Sequence, residues 1–557
     1  VAMAPRPAWP SSSRVTYDFA PQPIIASGLV LIGSSADDRV VALEAGSGRV
    51  VWDFFAGGPI RFAPVAWKDR VFVASDDGHL YALALSDGRL LWKHRGAPDG
   101  RLSVGHGRMI SMWPSRGGPV VDGDRVYYAA GIWPSGGVCL YALDGATGAV
   151  AWANDRTGQL RMPQPHGGAE ADSGVVPEGY LVVSGGRLFV PTGRAVPAAF
   201  RCSDGELEHY LLQENGSIGG ARVIACGDYV INGGCFLDAA TGRLSARAGR
   251  GVFGVKPDGV FQFTGDRLLG YGWDEIDVAD KGGGVARRRI LGRRFDVRLG
   301  PEPDAVRRAS GAVSTLGGLG PLLRTDIVFR DTDPSVAKQT GLERMLSQSR
   351  PQLEGMGAEV APFLAAHYER CNEVIGAGRE AICGAGNKVH VVDLGTGTPR
   401  WCAEVEGDAV GLAAAGGMLV VSTTRGAIYC FAGVSEAAPV GRGDVAGRAV
   451  TERPRDLGEP APGGRQAPVR RATVSWAAVA EEILRKSGIS SGLCVDLGCG
   501  EGELATELAR RSGLQVIGFE ADPSAVERAR RRIAAAGLYG DRVTILCGDP
   551  AATGCPR

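Results

Sequence analysis

The chain has 557 residues, 44% of them apolar, enough to bury a large core, and its 61 Lys plus Arg balance 61 Asp plus Glu. That balance gives no electrostatic reason to bind nucleic acid or an anionic membrane. No apolar run reaches the length of a membrane helix, and the 12 cysteines form neither a CxxC nor a vicinal pair, so a disulfide framework or a zinc site is not expected.

The chain opens at Val1 in a Pro/Ser-rich segment and stops at Arg557 inside an unfinished pattern. It is therefore expected to be a fragment, which leaves a signal peptide undecided. Glycine is abundant, 84 residues, without a collagen-like period. Such a content suits many short strands joined by tight turns.

From the start of the chain to about residue 440 one pattern recurs. It reads ALEAGSGRVVW at 42–52, ALALSDGRLLW at 82–92, ALDGATGAVAW at 142–152 and VVDLGTGTPRW at 391–401. AFRCSDGELEH (199–209), FLDAATGRLSA (236–246) and DVADKGGGVA (277–286) keep the glycine and lose the tryptophan. Several anchor intervals lie near 40 residues, the others carrying insertions, and LVVSTTRGAIYCFA (419–432) begins a further unit without finishing it. Within one unit, VFVASDDGHLYALALSDGRLLW (71–92) is two alternating strands, each followed by a turn rich in Asp and Gly. Gly48, Gly88, Gly148, Gly242 and Gly397 suit a positive-φ turn position, and the Trp after each intact turn is large enough to wedge between neighbouring sheets. Four strands every ~40 residues predict a closed propeller of seven or eight blades over 15–440.

The run Ala-x-Asp-x-x-Thr-Gly-x-x-x-Trp resembles the docking motif of PQQ-like propellers, a group that includes quinoprotein alcohol dehydrogenases and outer-membrane assembly lipoproteins. The resemblance is carried by Trp52, Trp92, Trp152 and Trp401; where His209, Ala246 and Ala286 stand instead, different packing is expected. The dehydrogenases imply a vicinal Cys-Cys disulfide on the cofactor and a Glu/Asn/Asp calcium set. No vicinal pair exists here and no calcium set is evident, so PQQ is not the expected cofactor and no metal ligands are assigned. Between Trp92 and Trp152, His106, Trp113, Arg116 and Trp133, together with Arg61, suggest either a ligand funnel on one propeller face or packed loops. Residues 333–370 read as helical pieces broken near Pro351, a cap on the disc.

Residues 441–472 have a Gly/Pro/Arg/Ala linker composition. Over 473–557 the pattern returns. Residues 474–488 have helical apolar spacing; 493–513 read as strand, glycine turn and helix; 514–537 as strand, acidic tip and helix; 541–550 as a third strand. Alternating strands and helices predict a parallel α/β Rossmann-like sheet. The turn DLGCGEG (496–502) lets backbone approach a ligand and opens a helix with free N–H groups. Glu520 ends the second strand, 20 residues past Gly500, where a carboxylate meets ribose hydroxyls. A dinucleotide fingerprint needs Gly at 503, where Glu503 stands, and Asp496 beside the turn favours an ammonium over a pyrophosphate.

This run resembles motif I of class I methyltransferases. The resemblance implies S-adenosylmethionine as cofactor, its amino-acid end held by Asp496 and the backbone of Leu497, Gly498, Cys499, Gly500 and Gly502. It further implies Glu520 on the ribose and Asp549 at the adenine amino group. After Asp549 only PAATGCPR remains, so the acceptor-binding half is missing and no catalytic residue is named. The expected function is a methyltransferase coupled to a propeller that binds or scaffolds an unknown protein or small molecule. A non-catalytic envelope scaffold is the alternative, and a PQQ-dependent oxidoreductase the reading least supported. The cytoplasm, where S-adenosylmethionine is made, is favoured over the periplasm.

Overall fold

The computed structural model describes residues 2–3, 22–105, 108–164, 168–193, 195–212, 219–248, 251–256, 258–264, 267–279, 285–299, 327–329, 371–432 and 475–549. The expected cap at 333–370, the linker at 441–472 and the anchor turn at 280–284 lie outside the described residues.

Among the described residues eight sheets follow one another as blades, antiparallel apart from one short parallel edge strand in each of blades 3 and 6. Blade 1 is Pro23–Ala26, Leu29–Gly33, Arg39–Glu44 and Val50–Phe55, each strand paired with the next. Blades 2 and 3 open at Val65–Trp67 and Gly117–Asp122; blades 4 and 5 at Val182–Ser184 and Val223–Cys226. Blades 6, 7 and 8 open at Val252–Lys256, Cys371–Ala377 and Ala409–Ala415. The unit that looked unfinished is completed from the other end of the chain: Ala2–Met3 pairs antiparallel with Ala427–Ala432 as the outermost strand of blade 8. Val30, Ile32, Val41 and Leu43 of blade 1 pack on Val420 and Ile428 of blade 8, so the ring closes. Closure covers the outward faces of blades 1 and 8 that a linear row of sheets would leave bare.

The repeated pattern has a local cause. Asp144 accepts the Thr147 amide and hydroxyl, both at 2.8 Å, while the Gly148 amide donates to the Asp144 carbonyl at 2.8 Å. The same Asp–Thr pair recurs at Asp238–Thr241 and Asp393–Thr396. The side chain thus folds the turn that ends at a left-handed glycine. Gly88, Gly148, Gly205 and Gly242 have φ of 71°, 76°, 74° and 71°. Each lies under a ring from the preceding blade: Trp52 over Gly88, Trp92 over Gly148, Trp152 over Gly205, His209 over Gly242. A Cβ at any of the four would overlap that ring, so glycine is required twice over.

Buried Trp52 Nε1 donates to Leu85 O and Trp152 Nε1 to Cys202 O, both at 2.9 Å, which satisfies their polar atom. His209 was expected to pack differently, yet it takes the same seat, its Nε2 3.1 Å from Ala239 O. In blade 6 the seat over Gly397 is filled by Phe295 rather than by residue 286, because the last two strands there, Arg267–Ala279 and Val285–Arg298, run long and shift the docking position.

The second unit is α/β. Its parallel strands are β1 (Ser491–Leu497), β2 (Gly513–Glu520) and β3 (Val543–Cys547), in that order. Its helices are α1 (Trp476–Ser487), α2 (Glu503–Arg511) and α3 (Pro523–Ala535). Ser475 caps α1 and Gly488, at φ 66°, ends it; Asp522 caps α3, with Pro523 at its first position. One face of the sheet, Leu514, Val516, Val543 and Ile545, packs on Ala480, Leu508, Ala529 and Ile533 of the helices. No described helix is long and apolar enough to cross a membrane.

Replacing the buried Trp152 by Ala should lower propeller stability by about 3–5 kcal/mol. Trp133→Ala, where the ring is 61% exposed, should stay within about 0.5 kcal/mol. Urea unfolding followed by far-UV circular dichroism checks both.

Candidate functional site

The three acids and the glycines of the predicted site meet at the carboxyl ends of β1, β2 and β3. Parallel register sets this: Asp496 lies beside Gly518 and Leu497 beside Phe519, while Glu520 lies beside Cys547. Asp549 follows two residues past the end of β3, exposed, and the Gly548 amide between them donates to Glu520 O at 2.9 Å. This is the edge at which open α/β sheets hold ligands.

The bend after β1 is tied to β2 by its backbone. The Gly498 and Cys499 amides donate to Phe519 O at 2.9 and 3.0 Å, and the Gly500 amide to Glu520 Oε2 at 2.9 Å. Gly498, Gly500 and Gly502 all have positive φ, 70°, 55° and 76°. A Cβ on Gly498 or Gly500 would meet nothing within 4 Å, so these two face open space. Gly502 differs: its Cβ would press on Ile533, and it caps α2 where the helix crosses α3. The chain therefore reserves two glycines for access and one for close helix packing.

Asp496 carries the main electrostatic feature. Its carboxylate is half-buried, burial pushes its pKa above the ordinary 3.8, and its buried Oδ2 has no hydrogen-bond partner. An unpaired buried acceptor costs stability unless a donor arrives. Glu520 behaves in the opposite way: amide bonds from Asp522 and Gly500 hold its carboxyl below the ordinary value. Cys499 sits between them, its thiol pushed up to about 12 by burial and by the charges of Asp496 and Glu520. Leu497 is 64% exposed.

Two residues outside the motif complete the bend. Gly518 leaves room for Cys499, since a Cβ there would strike the thiol at 2.7 Å. Phe519 supplies the carbonyl that orders the first two amides. Their sequence signal is slight, a small residue two positions before the acid at the strand tip.

The set suggested for a funnel on the propeller is packed. Arg61 and Arg116 close on one carboxylate, Asp76, with Arg61 Nε 2.6 Å and Arg116 Nη2 3.0 Å from Oδ2. All three side chains are buried. Trp113 is buried too and donates to Gly136 O at 2.6 Å, whereas Trp133 is exposed and His106 lies outside the described residues. Burial of the two arginines is accounted for by their shared counter-ion.

Comparison with known proteins agrees with both units. Residues 6–112 and 106–250 match the family of the outer membrane protein assembly factor BamB, and residues 494–556 match a methyltransferase domain. No curated protein matches the chain. Among solved structures, BamB from Moraxella catarrhalis is 14% identical over 73% of this chain and 82% of its own, with a TM-score of 0.33. Quinohemoprotein alcohol dehydrogenase from Comamonas testosteroni is 12% identical over 76% and 72%, with a TM-score of 0.41. A putative S-adenosyl-L-methionine-dependent methyltransferase from Methanococcus maripaludis is 35% identical over 13% of this chain, with a TM-score of 0.13; the match spans 33% of that protein's length.

Asp496 yields a pH prediction. A carboxyl whose folded pKa is raised above its unfolded value keeps its proton longer in the native state, so the unliganded protein loses stability as pH rises through the window above 3.8. Asp496→Asn does not titrate. It should raise the thermal midpoint of the unliganded α/β unit at pH 7, and the gain should shrink toward pH 4; scanning calorimetry at the two pH values checks it.

Proposed function

We propose that this chain, an eight-bladed PQQ-like β-propeller joined to a methyltransferase domain, binds S-adenosylmethionine at the 496–502 bend and serves methyl transfer, with the propeller as its binding or scaffold module. The observation that carries the reading is the half-buried Asp496 carboxylate with an unpartnered oxygen beside two glycines that face open space. An ammonium group answers that oxygen and a pyrophosphate does not. The residues present therefore fit this cofactor better than a dinucleotide, and Glu503 in place of a third fingerprint glycine argues the same way.

When bound, the cofactor supplies a methyl group on a cationic sulfur, open to attack by an acceptor nucleophile. The chain's own residues hold and orient. Asp496 would take the ammonium, and the backbone from Leu497 to Gly502 would line the amino-acid end. Glu520 accepts amide bonds on both oxygens, one on each, and its remaining lone pairs would accept ribose hydroxyls. Asp549 would meet the adenine amino group. The high pKa of Cys499 keeps that thiol protonated near neutral pH, so no thiolate competes with the acceptor at the bend. Catalysis by such a site is mostly positioning of two reactants. We place the reaction in the cytoplasm, where the cofactor is made.

A second reading, a non-catalytic envelope scaffold, is favoured by one observation: Glu520 already steadies the bend from within. Isothermal titration of the full chain separates the two. S-adenosylmethionine should bind, NAD should give no heat, and Asp496→Ala should weaken binding by at least about tenfold, the worth of one charge-assisted hydrogen bond. Absence of heat with S-adenosylmethionine would leave the scaffold reading standing.

A further inference from the structure

A parallel sheet needs cover on both faces. In the α/β unit, α1, α2 and α3 all lie on the Val516–Ile545 face. On the other face Ile517, Phe519 and Leu546 are still buried, at 7%, 1% and 6% exposure, in a cluster with residues of the propeller. Met109, itself 4% exposed, is the propeller's buried member of that cluster, with Leu102 packed against it. Both residues lie on the hairpin Leu102–Gly105 and Arg108–Ser111, an insertion between blades 2 and 3. The corresponding residues of β1, Leu493, Val495 and Leu497, extend past the hairpin and are about half exposed or more.

The hairpin is fixed to blade 1. Arg108 donates to Ala36 O at 2.9 Å and to Asp38 Oδ2 at 2.6 Å, with both side chains of the ion pair buried. The α/β unit reaches the same point. Tyr539 donates its hydroxyl to Asp38 Oδ2 at 3.4 Å and meets Phe55 edge-on at 5.6 Å. Gly540 presses its backbone on Ala36 O so closely that a Cβ would overlap it. Arg531 pairs with Asp53 at 2.7 Å and lies over the Phe55 ring.

We propose that the propeller covers the β2–β3 part of this second face and thereby positions the cofactor bend. The link is short. The Phe519 side chain bears on Met109, and the Phe519 carbonyl accepts the Gly498 and Cys499 amides. Glu520, the next residue, accepts the Gly500 amide. Met109 is thus a positioning residue, acting through Phe519 on a bend it does not touch. The layer stands whichever ligand fills the crevice; its effect on S-adenosylmethionine affinity rests on the reading above.

Hydrogen exchange on the full chain tests it, with Met109→Asp and Gly540→Val. Exchange over residues 498–502 and 513–520 should accelerate by about tenfold or more, while blades 4 and 5 keep wild-type rates and Met109→Leu behaves as wild type. Titration with S-adenosylmethionine should show a matching loss of affinity. Unchanged exchange over 498–502 in both variants would overturn the proposal. If Met109→Asp also accelerates blades 4 and 5, Gly540→Val decides in the same sense. Accelerated exchange in a chain whose wild type gives no heat with the cofactor would sink the cofactor reading and uphold the layer.

Discussion

A ring laid on the backbone of a turn glycine is the contact on which the disc depends. It requires a residue that supplies no side chain and tolerates positive φ, and a neighbour that supplies a flat ring. Among the described residues the contact recurs at five blade junctions, while Ala246 brings no ring and Trp401 stays 38% exposed; each ring joins only its own blade to the next. That is how a ring of sheets tolerates insertions as different as the 102–111 hairpin and the long strands of blade 6. His209 and Phe295 show how the seat works: flatness and size are selected, and the indole donor is an addition. At His209 the ring nitrogen still reaches a carbonyl, whereas Phe295 has nothing to donate.

The blade pattern was legible in sequence because it is local. Asp, Thr and Gly close a turn within five residues, and the ring follows at fixed distance. The glycine bend of the α/β unit was legible for the same reason, as were Asp496 and Glu520 at two strand tips. What could not be read was set by contacts between distant segments. Phe295 escaped because an elongated hairpin moved the docking position away from residue 286. The partnership of Arg61 and Arg116 escaped because nothing in the Asp/Gly turn of blade 2 singles out Asp76 as the carboxylate that joins them. Met109 and Gly540 carry no local signal at all; their meaning appears only where two units touch.

Electrostatics divides the molecule in a consistent way. Charges buried within the propeller are matched, Arg61 and Arg116 against Asp76, and Arg108 against Asp38. In the crevice Asp496 keeps a buried oxygen without a donor. Asp38 also keeps one buried oxygen without a donor, but its other oxygen is held by Arg108, whereas Asp496 lies at the open carboxyl edge of the sheet beside two glycines that face open space.

Closing the disc with Ala2–Met3 has a consequence for synthesis. Ala2 pairs with Ile428, 426 positions away. At a translation rate of about 5–20 residues per second, its partner leaves the ribosome roughly 20–90 s after it does. Throughout that interval the nascent chain exposes the unpaired flank of blade 1 that blade 8 later covers. Blade-by-blade accretion can proceed meanwhile, since each ring needs only the next turn, but the final latch closes a loop that spans the whole disc. An early arrest of translation would release an open arc with two sticky flanks, a species that chaperones would be needed to shield.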